Sequence, residues 1–120
     1  MSEEEDEFRI ILTSAIPEVT VVRYYAETIE HITESHPEFR EQLPSVMEAI
    51  VETVTNPTVV YRSTTSASAA FVFGSSRNKL RDSSMLVPVK VISGTSGLLK
   101  TAYFSDSVQG ELIWKQSDES

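Results

Sequence analysis

The segment from Thr58 to Lys115 alternates short β-branched and aromatic runs with turn-forming segments, and this alternation constrains the fold most strongly. Runs of this kind, divided by Gly, Ser, Asn and Asp, are typical of antiparallel hairpins. We predict five strands: Thr58 to Arg62, Ala69 to Phe73, Met85 to Ile92, Leu98 to Phe104 and Glu111 to Lys115. Pro88 lacks a backbone donor and therefore predicts an edge or bulged position for its strand.

The first half of the chain carries a helical pattern instead. Ala26 to Ser35 predicts a short amphipathic helix, because Ile29 and Ile32 lie three residues apart and the glutamates lie off that stripe. A second helix follows and ends at Asn56-Pro57, with a start near Ser35-His36-Pro37-Glu38 or again at Pro44. Its apolar positions recur every three or four residues: Val46, Met47, Ile50, Val51 and Val54. Before the helices, Phe8 to Ile16 and Val19 to Tyr25 predict a strand pair.

These elements predict an α+β fold. Two N-terminal helices would pack on one face of a four- to five-stranded antiparallel sheet, with an extra N-terminal strand or hairpin. The 120 residues fit one domain, which we place at residues 8–117. Residues 1–7 would form a disordered acidic tail, and residues 118–120 a C-terminal tail.

The charge of −8 is unevenly distributed. Residues 1–61 hold 13 acidic and 3 basic residues, whereas residues 62–120 hold 5 acidic and 7 basic residues. A locally basic surface can therefore exist on an acidic protein. The chain has no cysteine, which excludes disulfides and cysteine zinc sites. No secretory signal and no apolar run of about 20 residues is visible, so we expect a cytoplasmic protein without a membrane partner.

Both histidines of the chain lie within six residues, at His31 and His36. Histidine titrates near neutrality and can serve as general acid or base. His31 and His36 would lie about 140° apart around a helix, so they would not share a face. Helix capping explains His36-Pro37-Glu38 better than chemistry does, and His31 is equally consistent with a structural histidine beneath the sheet. No third ligand is indicated, so we expect neither a metal nor a cofactor.

The order of several short motifs resembles the phage-associated branch of the barnase, EndoU, colicin and RelE-like (BECR) nuclease superfamily. The motifs are His31-Ile32, His36-Pro37-Glu38, Asn56-Pro57 followed by Val59, Val87-Pro88-Val89-Lys90 and Thr101-Ala102-Tyr103. The resemblance covers roughly Tyr24 to Trp114. It implies a metal-independent ribonuclease-like domain, of a toxin type or phage-derived, that cleaves RNA by transesterification at the 2′-hydroxyl. A protein antitoxin or immunity partner would accompany such a domain.

The resemblance implies a catalytic set of His31, Lys90, Thr101 and Tyr103. His31 would transfer the proton, Lys90 would stabilise phosphate charge, and Thr101 and Tyr103 would contact phosphate or a base. Arg62 would bind substrate on a neighbouring strand. A basic cluster in a predicted hairpin tip could also meet phosphates, although a solvated loop is the usual explanation: Arg77, Lys79 and Arg81. Lys90 could equally protect a sheet edge, and Tyr103 could be a core residue.

The alternative function is a catalytically inactive interaction or regulatory domain. An enzyme should bring its site residues to one concave, positively charged surface, whereas an interaction domain should scatter them. The residues that decide this are His31, Arg62, Lys90, Thr101 and Tyr103. The oligomeric state is not predicted.

Overall fold

The computed structural model describes residues 8–39, 43–63, 70–80, 83–107 and 110–116. Two α-helices and a 3₁₀ turn (Pro37–Phe39) lie between the second and third strands. The helices are α1 (Ala26–Ser35) and α2 (Leu43–Thr55). The strands are β1 (Arg9–Ile16), β2 (Val19–Tyr24), β3 (Val59–Arg62), β4 (Ala70–Leu80), β5 (Ser83–Ser93), β6 (Ser96–Leu99), β7 (Tyr103–Ser105) and β8 (Glu111–Lys115).

The predicted four- to five-stranded antiparallel sheet is wrong. The strands form one curled, mixed sheet in the order β1-β2-β6-β5-β4-β3-β8, and β7 pairs with β5. The β1–β2 hairpin is a full part of this sheet, because β2 pairs in parallel with β6 and places Val22 opposite Gly97. A parallel pairing between such distant segments leaves no local pattern in the sequence, since each strand only has to be extended and apolar.

The predicted strand from Leu98 to Phe104 is in fact two strands. It breaks between Leu99 and Tyr103, and β6 and β7 both pair with the same side of β5. This break also explains why Pro88 occupies an inner strand, contrary to its predicted edge or bulged position. The Pro88 carbonyl accepts the Lys100 N–H at 3.0 Å, so the missing N–H of Pro88 faces the connection between β6 and β7, where no ladder bond is lost.

The two faces of the sheet differ in what covers them. We call the face that carries Phe73, Val87 and Val89 the inner face, because it forms one core with α2 and α1. Val54 and Val60 are fully buried in this core. The opposite side is the outer face, and the alternation of side chains along each strand assigns residues to it.

The helices agree with the predicted ranges except at the first predicted start of the second helix, which is wrong because His36 ends α1 and Pro37–Phe39 forms a separate 3₁₀ turn. α1 spans the predicted range, and α2 ends before Asn56-Pro57 and begins beside Pro44. His36 is the C-terminal cap of α1, since its N–H donates to the Ile32 carbonyl at 2.9 Å. Within the described residues, no helix is long and apolar enough to cross a membrane. The predicted terminal tails lie outside those residues.

Candidate functional site on the outer face

Two of the predicted site residues, Lys90 and Tyr103, lie on the outer face. Tyr103 pairs directly with Leu86, which lies between the inward-facing Met85 and Val87. Lys90 follows the buried Val89 on β5, so it also points outward, and it is exposed. Lys90 lies four positions after Leu86, which corresponds to roughly 13 Å along the strand.

Tyr61 and Lys115 share this face and were not among the predicted site residues. One row of the sheet runs across five strands through paired residues: Tyr103, Leu86, Gly74, Val59 and Lys115. At about 4.8 Å per strand step, the row is roughly 19 Å long. Tyr61 stands two residues beyond Val59, opposite Val72. The outer face therefore carries two half-buried tyrosines and two exposed lysines, with Tyr103 and Lys115 at opposite ends of the row.

A cleft of about 500 Å³ opens over the middle of this row. Its floor is Val59, Gly74 and Leu86, and Tyr61, Lys115 and Asp106 border it. A Cβ atom at position 74 would lie 3.0 Å from Val59 Cγ2 and 3.0 Å from Leu86 Cδ2. Glycine at this position lets the two apolar side chains approach each other above the strand.

Side-chain hydroxyls on both sides of the cleft form hydrogen bonds with the backbone. Thr58 Oγ1 donates to the Gly74 carbonyl at 3.3 Å and accepts the Ser76 N–H at 3.0 Å. On the other side, Ser105 Oγ donates to the Ser107 carbonyl at 2.9 Å and accepts the Ser107 N–H at 3.2 Å. This turn presents the exposed carboxylate of Asp106. The cleft thus offers an ammonium at one end and a carboxylate at the other.

The histidines lie on the helical side of the molecule. α1 buries Ile32 and Thr33, and His31 is exposed, so its side chain does not point towards the sheet as expected. His36 is half-buried and stacks on Phe39 at a ring distance of 5.1 Å. Phe39 in turn meets Phe104 of β7 edge-on at 5.8 Å. His36 is therefore linked through Phe39 to Phe104 on the inner face, and not to the outer face that carries Tyr103.

The remaining predicted residues do not join the outer face. Arg62 pairs with Phe71 and lies on the inner side, where its guanidinium carbon is 5.9 Å from the Phe71 ring centroid. Thr101 is half-buried in the connection before β7, so the strand alternation that relates it to Tyr103 does not apply. Arg81 and the side chain of Lys79 lie outside the described residues.

Arg77 belongs to a network that ties β4 to α2. Its guanidinium donates to Glu52 Oε2 at 3.3 Å, to Gln116 Oε1 at 3.0 Å and to the Asn56 carbonyl. Asn78 Nδ2 reinforces the same connection by donating to Glu52 Oε1 at 2.6 Å. Each donor already has protein acceptors, so this part of the predicted basic cluster has a structural role.

Acidic and basic residues lie in different kinds of secondary-structure element. The two α-helices hold five glutamates and no lysine or arginine: Glu27, Glu30, Glu34, Glu48 and Glu52. The strands hold seven basic residues (Arg9, Arg23, Arg62, Arg77, Lys79, Lys90 and Lys115) and one acidic residue, Glu111. The acidic net charge therefore does not describe the outer face, where Arg23, Lys90 and Lys115 lie.

This arrangement suits binding better than acid–base chemistry. Tyrosine rings stack on nucleobases, and lysines neutralise phosphates between them. The described residues bring neither histidine to the outer face beside Lys90 and Tyr103. They also contain no group of three or more His, Cys, Asp or Glu side chains that could hold a metal ion.

Comparison of the chain with protein-family models, curated proteins and solved structures found no match. The nuclease family suggested by the sequence motifs therefore stays a prediction.

Proposed function

We propose that this protein is a binding domain for single-stranded nucleic acid, with RNA as the preferred candidate, and that the outer face of the sheet is its binding surface. The observation that carries the proposal is the shared face of Tyr61, Tyr103, Lys90 and Lys115. Aromatic side chains on an open sheet, with cations beside them, are the recurring means by which sheets bind unpaired bases.

The dimensions of the surface support a short oligonucleotide as ligand. The row from Tyr103 to Lys115 is roughly 19 Å long, and Lys90 lies roughly 13 Å away along β5. A duplex is a poorer fit, because its bases are stacked inside and cannot reach a tyrosine ring. The carboxylate of Asp106 accepts hydrogen bonds and therefore favours bases that present amino groups.

Binding without cleavage is the form of the proposal that the geometry favours. Transesterification at the 2′-hydroxyl needs a base and an acid beside the phosphate. His31 is exposed on α1, on the opposite layer from Lys90 and Tyr103. Ribonuclease activity remains the competing proposal, and the same protein and the same RNA test both proposals. For either function we propose a cytoplasmic location, consistent with a chain that lacks cysteine.

The binding test is fluorescence anisotropy with a labelled single-stranded RNA of mixed sequence at several salt concentrations. We expect Lys90→Gln and Lys115→Gln each to weaken binding and to reduce the salt slope of log K by about 0.7, the value for one phosphate contact on a single strand. Tyr103→Ala should weaken binding by about 1–3 kcal/mol with little change in that slope.

Arg9→Gln is the matched control, because it also removes one exposed positive charge but lies on the inner side of the sheet at β1. It should leave the salt slope within error. Failure of any single-stranded oligonucleotide to bind at low salt contradicts the proposal, and so does an equal effect of Arg9→Gln and Lys90→Gln.

Incubation of the wild-type protein with the same RNA and a chelator separates binding from cleavage. We expect intact RNA. Cleavage that disappears in a folded His31→Ala variant would instead support the ribonuclease and its predicted base, and cleavage lost only in His36→Ala would move the chemistry to the other histidine.

A further inference from the structure

Arg23 extends the basic part of the outer face beyond Lys90. A second row of paired residues runs across the sheet through Arg23 of β2, Leu98 of β6 and Lys90 of β5. Directly paired residues point to the same face of a sheet, so Arg23 and Leu98 share the outer face with Lys90. Arg23 lies two strand steps from Lys90, which corresponds to roughly 10 Å.

The Phe8 ring holds the guanidinium of Arg23 in place. The guanidinium carbon lies 4.8 Å from the centroid of this ring, and Tyr25 meets the same ring edge-on at 5.9 Å. A guanidinium that is attracted to a ring by its charge keeps its N–H donors for an anion. Phe8 is 44% exposed, so the ring and the cation beside it lie at the surface.

The charge around Arg23 and Lys90 favours an anionic ligand. Within the residues that the structure describes, neither side chain forms an ion pair or a side-chain hydrogen bond. Asp106 borders the cleft beside the half of β5 that pairs with β7, whereas Lys90 lies in the half that pairs with β6. Two such cations on either side of the half-buried Leu98 match two phosphates of one strand, with a sugar or base between them.

We infer that Arg23 binds a further phosphate of the single strand on the outer face, next to the phosphate at Lys90. The inference rests on the proposed nucleic-acid function, and it extends the binding surface from the cleft across Leu98 to β2. Chain length then becomes a determinant of ligand choice. At about 3.4 Å per stacked nucleotide, four nucleotides fit on the row from Tyr103 to Lys115, and twelve are long enough to reach Arg23 as well.

Fluorescence anisotropy with labelled single-stranded RNAs of four and twelve nucleotides tests this length dependence. Arg23→Gln should reduce the salt slope of log K by about 0.7 with the longer RNA and leave binding of the shorter RNA unchanged. Arg23→Lys keeps the charge and should keep the slope, which separates the loss of a phosphate contact from a loss of folding.

Arg62→Gln is the matched control. Arg62 also lies over a phenylalanine ring, that of Phe71, but on the inner side of the sheet. This variant should leave the salt slopes of both RNAs within error.

The role of Phe8 as a positioning residue has a separate test. Phe8→Leu should weaken binding of the twelve-nucleotide RNA by about two- to fivefold, because the guanidinium of Arg23 loses the ring beside it. Phe8→Tyr retains an aromatic ring and should restore the affinity of the wild-type protein. Equal affinities of the two variants would contradict this role.

Three results overturn the inference: equal effects of Arg23→Gln on the two RNAs, no effect on either, or an equal effect of Arg62→Gln. In each case, binding of the shorter RNA that depends on Tyr103 and Lys115 leaves the proposed function intact. Failure of both RNAs to bind contradicts the proposed function and the inference together. If Arg23→Gln weakens binding of a hexaglutamate peptide and not of the longer RNA, Arg23 serves an acidic protein segment, and the inference is again wrong.

Discussion

Gly97 illustrates how one missing side chain sets the distance between strands. A Cβ atom at this position would lie 2.5 Å from Val89 Cγ1 and 3.3 Å from the Lys90 carbonyl oxygen. From the sequence, Ser93-Gly94-Thr95-Ser96-Gly97 predicts only a turn. In the structure the two glycines of this segment have different roles. Gly94 is a left-handed turn residue with φ +55, whereas Gly97 is a close-packed residue of β6.

We expect Gly97→Ala to lower the free energy of unfolding by about 1–3 kcal/mol, because the new methyl group overlaps Val89 across the β5–β6 pair. The urea midpoint should fall at constant m-value. Gly94→Ala is the control, since nothing lies within 4 Å of its Cβ position. It should cost about 1 kcal/mol through backbone conformation alone, and Gly94→Asn should cost less because asparagine adopts the left-handed region more readily. Wild-type stability of Gly97→Ala would contradict the close approach.

At the scale of elements, the position of the β1–β2 hairpin is the main difference from the predicted fold. The hairpin itself agrees with the predicted strand pair, and Val19 and Val22 of β2 are fully buried. An accessory hairpin at the rim would leave such residues partly exposed. The parallel bond to β6 makes β2 an inner strand, so the hairpin contributes directly to the core.

Truncation of Val22 and of Leu12 should have different effects on stability, because Val22 is buried on the inner face and Leu12 lies on the outer face. Val22→Ala should destabilise the protein by roughly 2 kcal/mol, from two lost methyl groups and the cavity they leave. Leu12→Ala removes a larger side chain that is 63% exposed, and it should change stability by about 0.5 kcal/mol or less. Urea unfolding of the two variants compares them. Equal effects would argue that the hairpin is a rim element after all.

At the scale of the whole molecule, acidic and basic residues lie in different layers. Glutamates occupy the helices, and lysines and arginines occupy the strands, in a body that measures 49 × 35 × 30 Å. At about 0.1 M salt the screening length is about 10 Å, so the acidic helices have little influence on the outer face. At about 0.01 M the screening length rises to about 30 Å, comparable with the molecule itself.

This separation predicts a salt-dependent effect of the distant glutamates. The triple variant Glu27→Gln/Glu30→Gln/Glu34→Gln should raise affinity for single-stranded RNA at about 0.01 M salt and leave it unchanged at about 0.15 M. Anisotropy titrations at the two salt concentrations measure this. The same gain at both concentrations would indicate that the RNA lies close to α1 and would contradict the outer-face site.

Some residues of the candidate site could be named from the sequence. Lys90 and Tyr103 could be named from their motifs, and they do share a face. Tyr61 and Lys115 could not be added to them, because Val59 and Lys115 become neighbours only when β3 pairs with β8. Arg77 was named as a substrate-binding residue, but its guanidinium donates to Glu52 and Gln116. The sequence could not show this, because these acceptors lie 25 and 39 residues away.

The sequence by itself determined the local elements of this protein: both α-helices, the first hairpin, most strands and the uneven charge. These follow from the spacing of apolar residues, from proline and glycine positions and from residue type, all of which act over a few neighbours. Only the tertiary structure decided the sheet order, the parallel β2–β6 pair and the sorting of His31 and Tyr103 to different layers. Backbone pairing is indifferent to sequence distance and nearly indifferent to residue type, so the complete packing of the core selects it.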